Sequence, residues 1–324
     1  MKMKFLTWLG ALLWLLMVPS SAWAVVITCT MFSTSTATPS PAYTPYVANN
    51  TSLTYTVRCS STGSNASLDY KIGNDNGSGN PSSNRASFTS GSTTYFLPYD
   101  LYTTSSATCG GTLWQTATDL PDKAVMNNVN GRVADTAHTF YLCIPAFSGS
   151  PFPVAGTYTD TVKLTMNSTS PSNGDTLFPL ANPFATLNVS ITVAKECSLP
   201  TSPTSVNFGT YNSLTNSALN ANTTFIARCT NQGPYTMSLT GASTGNNTSP
   251  VNGVVAGLNY SLGISGAAAS GPSVGGATVS TTGSGAGQTY YINGYMVGSQ
   301  AGSCAGNACL PAGDSASQTL TFTY

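Results

Sequence analysis

Apolar and polar residues alternate with a period of two along many short stretches of this chain. In residues 185–193 the alternation sets four aliphatic side chains on one face of a strand, namely Leu187, Val189, Ile191 and Val193. Gly, Pro, Asn and Ser separate such stretches, and no amphipathic helical pattern interrupts them. The pattern predicts an all-β chain of antiparallel strands joined by turns.

The pattern of strands and cysteines occurs twice. The first two cysteines of each copy are 30 and 32 positions apart, and each second cysteine ends a strand-like run; the pairs are Cys29 with Cys59 and Cys197 with Cys229. Each copy closes with a glycine and a long alternating run, at residues 156–166 and 313–324. We therefore expect two immunoglobulin-like β-sandwiches in tandem, an N-terminal domain of residues 25–193 and a C-terminal domain of residues 194–324.

The two copies differ at their ends. A strand-like run of residues 185–193 precedes Cys197, whereas only residues 25–28 precede Cys29, and the second copy stops on its final run at Tyr324. We expect residues 185–193 to be the final strand of the N-terminal domain, supplied in cis. The C-terminal domain should lack its last strand. Because an unpaired sheet edge is a template for strand addition, a donor strand from another subunit should complete it.

The N-terminus has the form of a signal peptide. Lys2 and Lys4 precede an uncharged apolar run of residues 5–18, and small residues around Ala22 and Ala24 form a cleavage site. The run is shorter than the roughly 20 residues that a membrane-spanning helix needs. We expect residues 1–24 to be removed and the mature chain to be exported.

Eight cysteines, four in each half, indicate four disulfides in an exported chain. The repeat predicts two of the pairings, the short spacing of Cys304 and Cys309 a third, and elimination the fourth. The expected bridges are Cys29–Cys59, Cys197–Cys229, Cys304–Cys309 and Cys109–Cys143.

The charge pattern excludes several classes of function. Charged residues make up only 6% of the chain, with ten basic and ten acidic side chains, whereas nucleic acid or an anionic membrane would require a basic patch. His138, the only histidine, is expected at a strand edge or in a loop, and Asp100, Asp135 and Asp160 at turns or on the surface. No constellation of acids, bases or nucleophiles is found, so the sequence predicts no catalytic residue, metal site or cofactor.

Several motifs together resemble the spore coat protein U domain family, which includes subunits of archaic chaperone-usher pili of the Csu type. They are Tyr99-Asp-Leu-Tyr102 followed by Trp114, the run from Gly156 to Thr165, Phe208-Gly-Thr-Tyr211 between Cys197 and Cys229, and the terminal run ending at Tyr324. The resemblance implies a two-domain pilus tip subunit at the cell surface, whose first domain binds and whose second docks on the rod. Its implied partners are a periplasmic chaperone, an outer-membrane usher and an adjacent pilin that donates a strand.

The loops at the pole away from the C-terminal domain are the candidate binding surface. The loop between Met166 and residue 185 and the stretch of residues 120–136 should both lie there, beside residues 60–66. Their apolar residues are Val125, Met126, Val129, Leu177, Phe178 and Leu180. These side chains either face solvent or pack under their own loops.

Three functions fit the sequence. The first is a tip adhesin that attaches cells to surfaces, including hydrophobic abiotic ones, and promotes biofilm formation through these apolar loops. The second is a tip lectin that uses aromatic platforms such as Tyr43, Tyr46 and Tyr95 for a host sugar receptor. The third is a structural coat or matrix protein without a ligand.

Overall fold

The two-residue alternation corresponds to extended strands in a computed structural model of the protein. The structure describes residues 26–32, 37–39, 42–62, 66–75, 77, 84–105, 107–114, 120–126, 133–148, 152–171, 176–177, 184–212, 217–239, 249–255, 257–300 and 315–324. Within these ranges every regular element is a strand, which confirms the all-β prediction. The predicted signal peptide, residues 1–24, lies outside the described residues.

Two sheets enclose the core of the N-terminal domain. Its strands are β1 (Val26–Phe32), β2 (Asn49–Ser61), β3 (Ala66–Asn74), β4 (Arg85–Ser90), β5 (Thr93–Pro98), β6 (Asp100–Tyr102), β7 (Leu120–Met126), β8 (Val133–Ile144), β9 (Gly156–Pro171), β10 (Thr176–Leu177) and β11 (Phe184–Val193). One sheet has the order β10-β1-β2-β8-β6 and the other β5-β4-β9-β3-β7, with β11 paired to β9. Their pairings are antiparallel except that of β1 with β10.

The C-terminal domain also has two sheets. Its strands are β12 (Cys197–Thr201), β13 (Leu219–Cys229), β14 (Pro234–Leu239), β15 (Val251–Val255), β16 (Leu258–Ser265), β17 (Thr278–Thr282), β18 (Gln288–Met296) and β19 (Leu320–Thr323). They form one sheet of order β12-β13-β18-β16-β15 and a smaller sheet of order β17-β14-β19. Each domain has a separate cluster of buried apolar side chains.

Each domain contains a disulfide at the equivalent place, between its first two strands of the repeat. Cys29 lies opposite Cys59 across β1 and β2, and Cys197 lies opposite Cys229 across β12 and β13, with Cα–Cα distances of 4.0 and 4.1 Å. A third bridge joins Cys109 to Cys143. These three predicted pairings are confirmed. Cys304 and Cys309 lie outside the described residues.

Each copy of the repeat contains a buried tyrosine whose hydroxyl has a polar side-chain partner. The Tyr70 hydroxyl lies 2.7 Å from His138 Nε2, and the Tyr235 hydroxyl donates to Gln288 Oε1 over 3.1 Å. The prediction that His138 lies at a strand edge or in a loop is wrong, because it is a buried residue within β8, stacked on Tyr55. Its ring completes a core hydrogen bond.

Two stretches expected as loops contain strand backbone. Residues 120–126 form β7 and pair with β3, so Val125 and Met126 belong to a strand. Strand β9 continues past Met166 to Pro171, and Leu177 pairs with β1. The loop expectation was wrong here because backbone pairing does not require the apolar alternation on which the prediction rested.

Candidate functional site

The outer edge of β9 is covered by β11. The two strands are antiparallel along their shared length, from Phe184 opposite Thr165 to Val193 opposite Gly156. The four aliphatic side chains of β11 are 1% exposed or less, and they are Leu187, Val189, Ile191 and Val193. Burying four such side chains contributes roughly 6 to 12 kcal/mol before entropy costs.

A second segment borders β11 on its other side. The Ala37 amide donates to Asn188 O over 2.7 Å, and the Ser190 amide donates to Ala37 O over 2.9 Å. Ala37 forms a parallel β-bridge with Val189, and Tyr43 forms another with Val193. The Tyr43 hydroxyl donates to Pro145 O. Strand β11 therefore lies between an antiparallel neighbour and a parallel one, and it closes the gap between the two sheets.

The corresponding strand of the C-terminal domain has an open edge. β19 pairs with β14 on one side, and among the described residues no strand pairs with its other side. Leu320 and Phe322 are only half-buried, although both pack against the C-terminal core. The equivalent face of β9, which carries Val162 and Leu164, is fully buried. The difference leaves apolar core surface accessible beside β19.

Residues 202–212 are the counterpart of the segment that borders β11. Tyr43 follows Cys29 by 14 positions, and Tyr211 follows Cys197 by the same number. Whereas Tyr43 is buried, Tyr211 is half-buried, and its hydroxyl accepts a hydrogen bond from the Gln300 amide over 3.0 Å. Residues 202–212 pair with no described strand. β19 and residues 202–212 thus correspond by sequence position to the two neighbours of β11, namely β9 and the segment around Ala37.

Strand register brings three candidate stretches to one end of the N-terminal domain. Ile27 is opposite Ser61 on one side and Leu177 on the other. Met126 is opposite Ala66, where the chain enters β3 from the β2–β3 connection. We call this end, marked by Ser61, Ala66, Met126 and Leu177, the free pole.

The opposite end faces the C-terminal domain. Val193 pairs with Gly156 there, shortly before β12 begins, and Val154 forms a bridge with Asn231. The free pole is therefore directed away from the second domain. Of the remaining predicted surface residues, Val125 lies in β7 beside Met126, whereas Val129, Phe178 and Leu180 lie outside the described residues.

An exposed ion pair lies close to the free pole. Arg58 and Asp135 are opposite each other on β2 and β8, and their side chains form two hydrogen bonds of 2.6 and 2.7 Å. The bond from Arg58 holds the pKa of the Asp135 carboxyl below its ordinary value. Asp135 thus lies on the surface, as predicted.

Two of the sequence motifs meet in the N-terminal core. The Tyr99 hydroxyl donates to Asp160 Oδ2 over 2.7 Å, and both side chains are buried. Burial raises the pKa of Tyr99, and the nearby Asp160 carboxylate raises it further. The surface prediction for Asp160 is wrong, since the side chain is buried on β9, at the position opposite Val189 of β11. The two-residue alternation of β9 places Asp160 on the buried face, and this was the available sequence signal.

The tyrosines considered for a sugar platform are occupied elsewhere. Tyr43 is buried, and Tyr46 lies under Arg228, whose guanidinium carbon is 5.0 Å from the ring centroid. The Tyr95 hydroxyl accepts a hydrogen bond from Gln232 over 2.8 Å. These contacts place Tyr46 and Tyr95 at the junction between the domains, so the three residues form no open aromatic platform.

No centre for metal chemistry is found in the part of the chain that the structure describes. Within it, no three His, Cys, Asp or Glu side chains are grouped so that they could hold a metal ion. The described residues also contain no helix that is long and apolar enough to cross a membrane.

Comparison with protein families finds one match over most of the chain. The model of the Spore Coat Protein U domain matches residues 17–165 and again residues 184–307. The two matched regions correspond to the two copies of the internal repeat. Comparison with curated proteins finds no significant match.

Among solved structures, the chain is similar to adhesive subunits of bacterial fibres. The CsuC–CsuE chaperone–tip adhesion subunit pre-assembly complex of Acinetobacter baumannii contains a chain that matches at 16% identity and a TM-score of 0.44, with 92% of this chain and 100% of that chain covered. The CupB6 tip adhesin of Pseudomonas aeruginosa matches at 12% identity and a TM-score of 0.38, with 92% and 94% covered. The CFA/I adhesin CfaE of enterotoxigenic Escherichia coli matches at 9% identity and a TM-score of 0.25, with 84% and 76% covered.

Proposed function

The chain belongs to the Spore Coat Protein U domain family, and we propose that it is the adhesive tip subunit of an exported chaperone-usher pilus. One contrast carries the proposal. The N-terminal domain contains its own final strand, β11, whereas the described strands leave one edge of β19 free in the C-terminal domain. A subunit of this kind takes part in one fibre junction, through its C-terminal domain, and occupies the end of the fibre. Its role is binding, without catalysis.

We propose that β19 and residues 202–212 are the two sides of an acceptor groove that takes a donor strand from the next subunit. By analogy with β11, the strand would run antiparallel to β19 and parallel to residues 202–212. Ala37 bonds β11 through both its amide and its carbonyl, and Ser205 follows Cys197 by the same eight positions that separate Ala37 from Cys29. Backbone pairing supplies affinity, and alternate apolar side chains of the donor fill the core beside Phe322.

An open groove also implies partners during export. A half-buried apolar core edge promotes aggregation through strand pairing unless another protein covers it. We therefore propose that a periplasmic chaperone covers the groove before assembly and that an outer-membrane usher exchanges it for the donor strand. The mature protein would then reside at the pilus tip on the cell surface.

The adhesive surface is proposed to be the free pole. The backbones of Met126 and Leu177 lie there, and the chain that follows Leu177 carries Phe178 and Leu180. If these side chains face solvent, each one buried on a surface contributes roughly 1.5 to 3 kcal/mol before entropy costs. Such a pole would attach cells to hydrophobic abiotic surfaces and promote biofilm formation.

Adhesion of cells that display the fibre tests this assignment. Phe178→Ser and Met126→Ser should abolish attachment to polystyrene while the melting temperature of the purified protein changes little. Phe96→Ser is the matched control, because Phe96 is 43% exposed on β5, away from the free pole. It should leave attachment unchanged.

The opposite result separates the alternatives. If the two pole substitutions lower thermal stability by several degrees and leave attachment intact, the side chains belong to the core and the hydrophobic-tip proposal is wrong. Binding of the purified protein to a glycan array would then support a lectin. If cells that lack this protein assemble normal fibres and show no adhesion defect, the result would support a structural coat protein.

A further inference from the structure

The two domains are connected by more than the linker of residues 194–196. The Asn231 side chain donates to Phe152 O over 2.6 Å, and Val154 forms a backbone bridge with Asn231. Gln232 Nε2 donates to the Tyr95 hydroxyl over 2.8 Å. The turn after β13 thus contacts two separate parts of the N-terminal domain.

The same turn fastens the linker itself. The Thr230 amide donates to Glu196 O over 2.9 Å, and the Glu196 amide donates to Thr230 Oγ1 over 3.0 Å. The Thr230 hydroxyl also donates to Ala194 O, at 3.1 Å. Although Lys195 is exposed, both residues beside it are therefore tied to the C-terminal domain.

Aromatic packing fills the space beside these hydrogen bonds. Phe152 lies 5.5 Å from Phe147 and 6.5 Å from Tyr46, measured between ring centroids. Gly285 of the C-terminal domain approaches Phe152 so closely that an added Cβ would overlap the phenylalanine side chain. The contact therefore requires a glycine at this turn, where φ is +76°.

The backbone of Gln232 is also held in an unusual conformation. Its φ of 57° lies in the left-handed region, which residues other than glycine rarely adopt. The Gln232 amide donates to Gly283 O, and the Gly233 amide donates to Thr230 O. These bonds stabilise a turn that directs the Gln232 side chain to Tyr95.

We propose that these contacts form an interdomain lock that joins the two domains into one rigid body instead of two domains on a hinge. The lock consists of Phe152 and Val154 on the N-terminal side and Thr230, Asn231 and Gln232 on the C-terminal side. It sets a fixed angle between the free pole and the sheet that contains β19. The inference rests on the junction alone and does not depend on what the free pole binds.

Limited trypsin digestion of the mature full-length protein tests the lock, because Lys195 lies in the fastened linker. A protease needs a locally opened segment, so cleavage after Lys195 reports opening of the junction. The triple variant Thr230→Val, Asn231→Ala, Gln232→Ala removes the side-chain bonds. It should be cut after Lys195 about tenfold faster than the unchanged protein, with fragment masses identifying the site. Thr224→Val, at an exposed position of the preceding strand β13, is the control and should behave as the unchanged protein.

Small-angle X-ray scattering of the unchanged protein gives a test that requires no variant. A single rigid arrangement predicts one scattering curve that matches the structure, with an increased maximum dimension only in the triple variant. Rapid cleavage after Lys195 in the unchanged protein, an unaltered cleavage rate in the variant, or scattering that requires a broad set of domain orientations would each overturn the lock. Cleavage of the variant at Lys71 and Lys163 as well would indicate that the variant is unfolded. The scattering of the unchanged protein would then decide whether the two domains form one rigid body.

Discussion

The two domains of this protein use the same strand arrangement but complete it differently. In the N-terminal domain β11 lies between β9 and the segment around Ala37, and the aliphatic face of β11 is fully buried. In the C-terminal domain β19 has no described partner on the equivalent side, and Leu320 and Phe322 remain half-buried. The two copies of the duplicated domain thus differ in whether the described residues place a strand beside the last strand of the repeat.

The strongest test of this comparison removes the contribution of β11. Ile191→Asp would bury an unpaired charge in the N-terminal core and should cost more than about 5 kcal/mol, comparable with the stability of a whole domain. We expect the unfolding transition of the N-terminal domain to be lost in calorimetry. Thr192→Asp, at the exposed neighbouring position, is the control and should melt normally. Full cooperative melting of Ile191→Asp would mean that β11 is not essential to the domain.

A complementary experiment supplies the C-terminal domain with a strand. A copy of residues 184–193 is joined after Tyr324 by a flexible linker as long as residues 172–183, so that it can return antiparallel to β19. We expect the C-terminal domain to gain about 2 to 4 kcal/mol, because ordering the added chain offsets part of the apolar burial. The control extension has serine at the four aliphatic positions and should give no gain. Equal melting temperatures for the two extensions would contradict the acceptor groove.

The sequence predicts strand β11 better than it predicts the segment that lies beside it. The role of residues 185–193 is readable because four aliphatic residues alternate without interruption and precede Cys197. The partner segment around Ala37 carries no such signal, since Ala37 contacts β11 through its backbone amide and carbonyl. Periodicity reports which face of a strand is buried, and it does not report which backbone lies alongside.

The candidate site was predictable to a similar extent. The sequence indicated which stretches meet at the free pole, and the register of Met126 with Ala66 and of Leu177 with Ile27 brings them to one end. The sequence missed the buried bond of Asp160, because an isolated aspartate is usually a surface residue. It also missed the interdomain contact of Tyr95, which joins residues 137 positions apart.

A smaller effect is expected from the buried hydrogen bond between Tyr99 and Asp160. Tyr99→Phe removes the hydroxyl that donates to Asp160 and should lower the unfolding free energy of the N-terminal domain by about 1 to 2 kcal/mol. The C-terminal transition should not move. Tyr141→Phe, at a half-buried position on β8, is the matched control. Chemical denaturation that gave equal losses for the two variants would show that the Tyr99 bond adds no stability.

The smallest effect is expected where the two domains join. Burial raises the pKa of the Glu196 carboxyl, and its Oε1 has no hydrogen-bond partner within the described residues. A raised folded-state pKa stabilises the protein below the ordinary value for glutamate, and this contribution is lost as pH rises through the folded-state pKa. Glu196→Gln should therefore remove this pH dependence and raise stability at neutral pH, by less than about 1 kcal/mol because solvent screens most of the group. Melting curves of both proteins from acidic to neutral pH measure the difference. A variant less stable than the unchanged protein at neutral pH would indicate that the carboxylate has a favourable partner.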